Sequence, residues 1–239
     1  MENTRKKALV TGCTKGIGLA IVNKLAKEGY DVAGCARNKK DLEVLYKKLS
    51  ETYLNQSFFM ESCDVGNAEQ LRIFCNDAIT EFGYFDVLVN NAGVFIPGQI
   101  QNEDIGVFET MINTNLASAY HVTRAVLPGM INRKKGHVFN ICSTASITAY
   151  TNGGSYCISK FGLLGMSKVL REELKQHHIR VTAILPGATF TNSWSGSTLP
   201  ETRFIKPEHI AALLYQAIEI ADYSNVEEIV VRPPDGDIG

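Results

Sequence analysis

Short apolar runs, each followed by a segment of helical length, recur from one end of this chain to the other, and the runs do not alternate with polar residues. Ala8-Leu9-Val10 and Val87-Leu88-Val89 are continuous, and residues 138–142 and 181–185 are nearly so. A strand with one face in water reads apolar-in, polar-out, whereas a strand covered on both faces loses that alternation. Runs of this kind between helices imply a parallel sheet sandwiched by helices. Strands are expected at 8–10, 31–35, 57–61, 87–89, 138–142, 181–185 and 228–231. Helices are expected at 17–27, 39–50, 68–82, 108–131, 155–176 and 208–221. In the first, Ile17, Ala20, Ile21 and Leu25 share a face and Gly29 marks the end. The sum is a doubly wound α/β layer of about seven strands with helices on both faces. Residues 191–206, with Gly196, Pro200 and several Ser and Thr, show no period, and a loop this long in a compact unit suggests a substrate lid.

The 239 residues suit one large α/β unit or one unit with a small appendage. No repeat, linker or change of composition divides them, so residues 1–239 are expected to form a single domain. A formal net charge of −1 gives no basic excess for binding nucleic acid. No run of about 18 apolar residues suggests a membrane span, and Met1 to Lys7 lead into a strand without the apolar core of a signal peptide. The expectation is a cytoplasmic protein. Its six cysteines form no C-x-x-C pair and sit in small or apolar runs, as buried reduced thiols do. His177 and His178 are adjacent and point apart on a helix, with no third ligand at metal spacing; they suit a helix C-terminus instead, and no metal is expected.

Two constellations carry chemistry. The first expected strand runs into Thr11-Gly12-Cys13-Thr14-Lys15-Gly16-Ile17-Gly18, a G-x-x-x-G-x-G turn. Glycines there let the backbone approach a pyrophosphate, and the free N–H groups of the following helix bind its charge. The second is Tyr156 with Lys160, four residues apart and so on one helix face. An ammonium beside a phenol favours the phenolate and lowers its pKa, which would fit Tyr156 to exchange a proton with a carbonyl oxygen. Ser143, at a strand end, can donate a hydrogen bond to the same oxygen.

In order along the chain, the glycine turn, Asp64-Val65, Asn90-Asn91-Ala92-Gly93, Asn115, Ser143, Tyr156-Cys157-Ile158-Ser159-Lys160 and Pro186-Gly187 with Thr191 resemble the motifs of the short-chain dehydrogenase/reductase family. That resemblance implies a Rossmann fold and a nicotinamide cofactor. By position, Gly12, Cys13, Thr14, Lys15, Gly16, Ile17 and Gly18 would wrap the pyrophosphate, and Asp64 and Val65 would meet the adenine. Asn90, Ala92 and Gly93 would line the ribose, although Asn91 and Gly93 are also what a bare turn needs. Pro186, Gly187, Thr189 and Thr191 would lie by the carboxamide or pyrophosphate. Asn115, Ser143, Tyr156 and Lys160 would be the catalytic set. Lys160 would also bind the nicotinamide ribose, and Asn115 would hold a water leading to solvent. Phe95, Ser146, Tyr150 and Trp194 are the substrate-side expectation, an apolar and aromatic wall suited to a ketone.

The resemblance extends to 3-oxoacyl-[acyl-carrier-protein] reductases, in which entrance cations meet the acidic carrier; Lys134 and Arg171 stand at corresponding positions. The shorter lid and the tail from Val230, which lacks a closing glycine pair, look more like reductases of small carbonyls. A homodimer or homotetramer is implied as well. For the cofactor, an acid ending the second strand would bind the ribose 2′-OH and repel a 2′-phosphate. Here Ala36-Arg37 stands instead, and Lys15 adds a second cation, so NADP(H) is expected. The competing readings are an NAD-linked alcohol dehydrogenase of the same fold, opposed by Ala36-Arg37, and a non-catalytic NADP(H) sensor, opposed by the presence of Tyr156, Lys160, Ser143 and Asn115.

Overall fold

The structure is a computed structural model that describes residues 5–191, 196–220 and 223–237. Its strands are β1 (Lys7–Thr11), β2 (Asp31–Ala36), β3 (Phe58–Ser62), β4 (Val87–Asn90), β5 (Gly136–Ile141), β6 (Ile179–Pro186) and β7 (Glu228–Val231). The helices are α1 (Gly16–Lys27), α2 (Lys39–Thr52), α3 (Ala68–Phe82), α4 (Val107–Ile112), α5 (Ser118–Arg133), α6 (Gly154–Leu174) and α7 (Pro207–Glu219). The sheet runs β3-β2-β1-β4-β5-β6-β7, and every neighbouring pair is parallel. The expected strand–helix order is observed throughout, with most ends moved by one or two residues.

The absence of alternation in β1 has a direct cause. Ala8 and Val10 point into a layer with Ile21 and Leu25 of α1 and Leu214 of α7, while Leu9 points the other way onto Phe74 of α3 and Val126 of α5. All of these residues are buried, and each large side chain withdrawn from water stabilises the fold by roughly 1.5–3 kcal/mol. Because both faces are covered, neither can be polar. Among the described residues, no helix is long and apolar enough to cross a membrane.

One expectation needs correction. The single helix expected over 108–131 is interrupted: α4 passes into a π-helical turn, Asn113–Ala117, before α5 begins. The inserted residue rotates the frame so that Asn115 points inward and is buried, although its neighbours Thr114 and Leu116 are not equally so.

At the strand order's reversal, β1 lies between β2 and β4, so the chains leaving β1 and β4 diverge and open a crevice at the sheet's carboxyl edge. Helix α1 must then sit close to β1. A Cβ on Gly18 would overlap the Gly12 carbonyl oxygen and the Asn91 amide. Gly18→Ala should therefore lower stability by about 1–3 kcal/mol, the usual cost of an overpacked core. A denaturant midpoint equal to that of the wild type would refute this packing role.

Candidate active site

The crevice has a volume of about 530 Å³ and is walled by the glycine turn, the end of β2, and the segments after β3 and β4. Gly12 (φ +68°) and Gly16 (φ +51°) adopt the left-handed backbone that favours glycine. A Cβ on Gly12 would stand 3.0 Å from Ala92 Cα, and one on Gly16 would stand 2.8 Å from Thr191 Cγ2. The turn is fastened to the end of β4: Asn91 Nδ2 donates to the carbonyls of Thr11 (2.9 Å) and Gly12 (3.0 Å). Thr11 Oγ1 accepts from the N–H groups of Asn91 and Ala92, both at 3.1 Å. Asn91 thus builds the turn.

The other expected cofactor residues divide. Thr14, Lys15, Ile17, Arg37, Asp64 and Val65 line the crevice, as do Ala92 and Gly93. Asp64 Oδ1 accepts from Gly66 N–H at 3.0 Å, which shapes the loop after β3. Cys13 turns its thiol into the core, 4.0 Å from Met60 Sδ, and burial pushes its pKa up to about 12; only its backbone is left to face a ligand. Asn90, expected at the ribose, instead directs its amide into the protein. Its Nδ2 donates to Thr123 Oγ1 (2.9 Å) and Asn140 Oδ1 (2.8 Å), linking β4 to α5 and β5. Pro186, Gly187 and Thr189 stand behind the wall: Pro186 pairs with Val231, Gly187 N donates to Val231 O at 2.7 Å, and Thr189 Oγ1 donates to Gly187 O at 3.0 Å. Of that group, Thr191 lines the crevice.

The two cations are not equivalent. Lys15 Nζ is 3.2 Å from Asp41 Oδ2, a carboxylate in the first turn of α2. Arg37 is exposed and forms no ion pair among the described residues. Asp41 was not legible as a site residue, because an acid in a helix's first turn is ordinarily there for the helix dipole.

Gly93 leads from the crevice to the chemical end, where its α-carbon faces Asn115 and Lys160: a Cβ there would lie 3.3 Å from Asn115 Oδ1 and 3.6 Å from Lys160 Nζ. Asn115 is held on both sides, its Oδ1 accepting from Val94 N–H at 2.8 Å and its Nδ2 donating to Val94 O (3.0 Å) and Ser159 Oγ (2.9 Å). Lys160 Nζ donates to Ile141 O at 2.8 Å and lies 5.9 Å from the Tyr156 ring centre. The Ser143 hydroxyl is near enough to the Tyr156 phenol to favour its ionised form. Ser143 also accepts from Ala145 N–H at 3.1 Å, at the start of a 3-10 turn, Thr144–Ser146.

Burial pushes the Tyr156 phenol above its ordinary pKa, and the Ser143 hydroxyl opposes that rise without overcoming it. Burial also lowers the Lys160 ammonium. The expected depression of the Tyr156 pKa by Lys160 is therefore not what this structure shows. The ammonium is spent on a backbone carbonyl, and desolvation of both groups dominates.

On the substrate side, Phe95 meets the Tyr156 ring edge-on, with centres 4.9 Å apart and planes at 74°. Tyr150 is half exposed, and burial followed by the charge of Tyr156 raises its phenol. Ser146 is a correction: it is 1% exposed, and its hydroxyl accepts from Ser143 N–H at 3.2 Å, so it braces Ser143 rather than lining a pocket. Trp194 lies outside the described residues. The described part of 191–206 is tied down at its far end, where Ile205 bridges to Thr189 and Phe204 packs on Phe190 with ring centres 5.6 Å apart. Arg171 also differs from expectation. It is buried, and its guanidinium donates to Glu227 O (2.7 Å) and pairs with the Glu227 carboxylate (3.3 Å), tying α6 to the approach to β7. Lys134 is exposed at the end of α5, the end remote from the sheet's carboxyl edge.

A parallel sheet that opens a glycine-walled crevice beside a neighbouring serine and tyrosine, with a buried lysine at hand, has the parts of a dinucleotide-dependent oxidoreductase. The chain belongs to the short chain dehydrogenase family, whose profile matches residues 6–201. A sepiapterin reductase of Chlorobaculum tepidum is 32% identical over 244 residues, covering 96% of this chain and 97% of its own. A solved metagenomic short-chain oxidoreductase in complex with NADP is 32% identical with a TM-score of 0.83, over 95% of this chain and 96% of that one. An alcohol dehydrogenase from the archaeon Thermococcus sibiricus, complexed with 5-hydroxy-NADP, superposes with a TM-score of 0.90 at 26% identity, over 99% of this chain and 100% of that one.

Proposed function

We propose that this protein is an NADP(H)-dependent carbonyl reductase that interconverts a small ketone and its secondary alcohol, with Tyr156 as general acid and base. The observation that carries this reading is the Ser143–Tyr156 hydroxyl pair, whose tyrosine packs on Phe95 of the glycine-walled crevice. The left-handed glycines, whose missing side chains would otherwise meet Ala92 and Thr191, leave the space a pyrophosphate needs. Gly12, Thr14, Lys15, Gly16 and Ile17 would hold that pyrophosphate, Asp64 and Val65 the adenosine, and Arg37 the 2′-phosphate. The bound nicotinamide supplies or accepts the hydride. Complexes of two solved relatives with NADP and 5-hydroxy-NADP support the phosphorylated cofactor.

The protein's own groups handle the proton. A carbonyl oxygen placed between the two hydroxyls accepts one hydrogen bond from Ser143 and the proton of Tyr156 as negative charge develops on it. Phe95, edge-on to the Tyr156 ring, walls one side. Lys160, held by the Ile141 carbonyl, would meet the nicotinamide ribose, and the Asn115–Ser159 pair fixes the π-turn against α6.

The raised phenol sets the pH dependence. Reduction needs Tyr156 protonated, and a pKa above the ordinary value keeps it protonated through neutrality. The kcat/KM for reduction should stay level across neutral pH and fall only on the alkaline side. Alcohol oxidation needs the phenolate and should rise with pH over the same range. Rate profiles in both directions check this, and a reduction limb already falling below about pH 8 would contradict it.

Burial of Arg171 removes one of the two cations that pointed to a carrier protein, so the free carbonyl is the substrate in this reading. A short keto acid or aliphatic ketone should exceed a 3-oxoacyl thioester on acyl carrier protein in kcat/KM. The reverse order would move the assignment to carrier-linked substrates. Exposed Ile158 and Phe161 on α6 and Tyr120 on α5 suit a homodimer or homotetramer, read by light scattering after gel filtration.

A further inference from the structure

Helix α6 carries both Tyr156 and Lys160 within its first two turns, yet it begins without a cap of its own. Its N-cap residue, Gly153, has no side chain to offer, and the first N–H groups of any helix lack partners inside it. A side chain from 52 residues earlier fills the gap. Glu103 Oε1 accepts from Ser155 N–H at 2.8 Å, and the Ser155 hydroxyl donates to Glu103 Oε2. A carboxylate is also the favourable charge at this end of a helix.

The approach is close and depends on glycines. A Cβ on Gly154 would overlap the Glu103 carboxylate, and one on Gly98 would stand 2.8 Å from Glu103 Cγ. Beside it, Gly98 forms a bridge with Gly153, and Gly98 N donates to Asn152 O at 3.1 Å. The segment after β4, which carries Phe95, and the segment after β5, which carries Ser143 and Tyr150, are therefore joined at the start of α6. One residue beyond the clamped Ser155 is Tyr156.

We infer that Glu103 is a positioning residue: its bidentate grip on Ser155 supplies the missing cap of α6 and holds the Tyr156 hydroxyl against Ser143. The kinetic part rests on the carbonyl-reductase reading, whereas the clamp itself does not. Two hydrogen bonds from one carboxylate to one residue fix direction as well as distance, so their loss lets the first turn fray and the phenol drift. A misplaced acid slows proton transfer without touching the crevice that binds the cofactor.

Amide hydrogen exchange at Ser155 and steady-state kinetics with NADPH and a small ketone should be measured on wild type, Glu103→Ala, Glu103→Gln and Ser155→Ala. In Glu103→Ala, exchange at Ser155 should accelerate at least roughly tenfold while the central strands stay protected. Its kcat should fall about tenfold, or ~1.4 kcal/mol, with the NADPH dissociation constant within about twofold of wild type. Glu103→Gln can still accept from the N–H and donate to the hydroxyl, so it should keep kcat within about threefold of wild type. Ser155→Ala loses one of the two bonds and should fall between them; it decides the matter if Glu103→Ala does not fold. Unchanged exchange at Ser155, or unchanged kcat despite faster exchange, would overturn the inference. If the wild type reduces no ketone, the carbonyl-reductase reading fails, while the exchange result still decides the clamp.

Discussion

Tyr156→Phe should lower kcat for ketone reduction by about 10²–10⁴-fold, the range that a positioned general acid contributes. The substitution is unusually clean in this site. The ring that meets Phe95 edge-on is kept, so packing at the wall survives and only the hydroxyl beside Ser143 is lost. NADPH should bind as before, because the glycine turn and Arg37 belong to other elements. Steady-state turnover and a fluorescence titration of NADPH on the same preparation separate the two effects. Turnover like the wild type's would remove Tyr156 from the chemistry. Loss of NADPH binding together with turnover would make it a cofactor contact instead.

The second large effect concerns cofactor choice. Wild-type protein should favour NADPH over NADH by at least about tenfold in kcat/KM, ~1.4 kcal/mol, and Arg37→Asp should erase or invert that ratio. A 2′-phosphate carries a charge of about −2, and Arg37 offers a fork of N–H donors that makes no ion pair among the described residues. Lys15 is held by Asp41 at 3.2 Å, so its charge is already partly balanced. Lys15 is exposed and Asp41 partly so, which keeps their mutual attraction modest and salt-dependent. Asp41→Asn should accordingly sharpen the NADPH preference, by weakening competition for Lys15. Equal kcat/KM for the two cofactors in the wild type would contradict the assignment of Arg37.

The parts of this fold that were legible in the sequence are those written in local pattern. Parallel strands covered on both faces leave continuous apolar runs, and Leu9 between Ala8 and Val10 shows why: its two neighbours and it serve opposite layers. The glycine turn was legible because left-handed backbone at Gly12 and Gly16 demands that residue. The i, i+4 spacing of Tyr156 and Lys160 placed them on one face, but not the atoms that the ammonium would choose. Ile141 O took it, and burial then raised the phenol that the spacing alone was expected to lower.

What sequence could not supply is the partner that each polar side chain takes. Ser146 is buried because it reciprocates the cap of Ser143, a pairing set by one short turn. Asn90 points to Thr123 and Asn140, partners on other elements, and only the assembled sheet decides which way its amide faces. Arg171 is similar: a cation near a helix's exposed end became buried because β6 and the approach to β7 offer it a carbonyl each and Glu227 a carboxylate. The π-turn around Asn115 has no signature in residue type, since it is defined by how the helix meets Val94.

The central claim is that the Ser143–Tyr156 pair and the crevice act together on a carbonyl. The most direct test is to mix wild-type protein with NADPH and a panel of small ketones and keto acids, and to follow cofactor absorbance alongside the alcohol formed. The account predicts that NADPH is consumed in equal amount to alcohol produced, with at least one small carbonyl reduced. Tight NADPH binding with no carbonyl reduced would contradict it and leave a protein that senses the cofactor without using it.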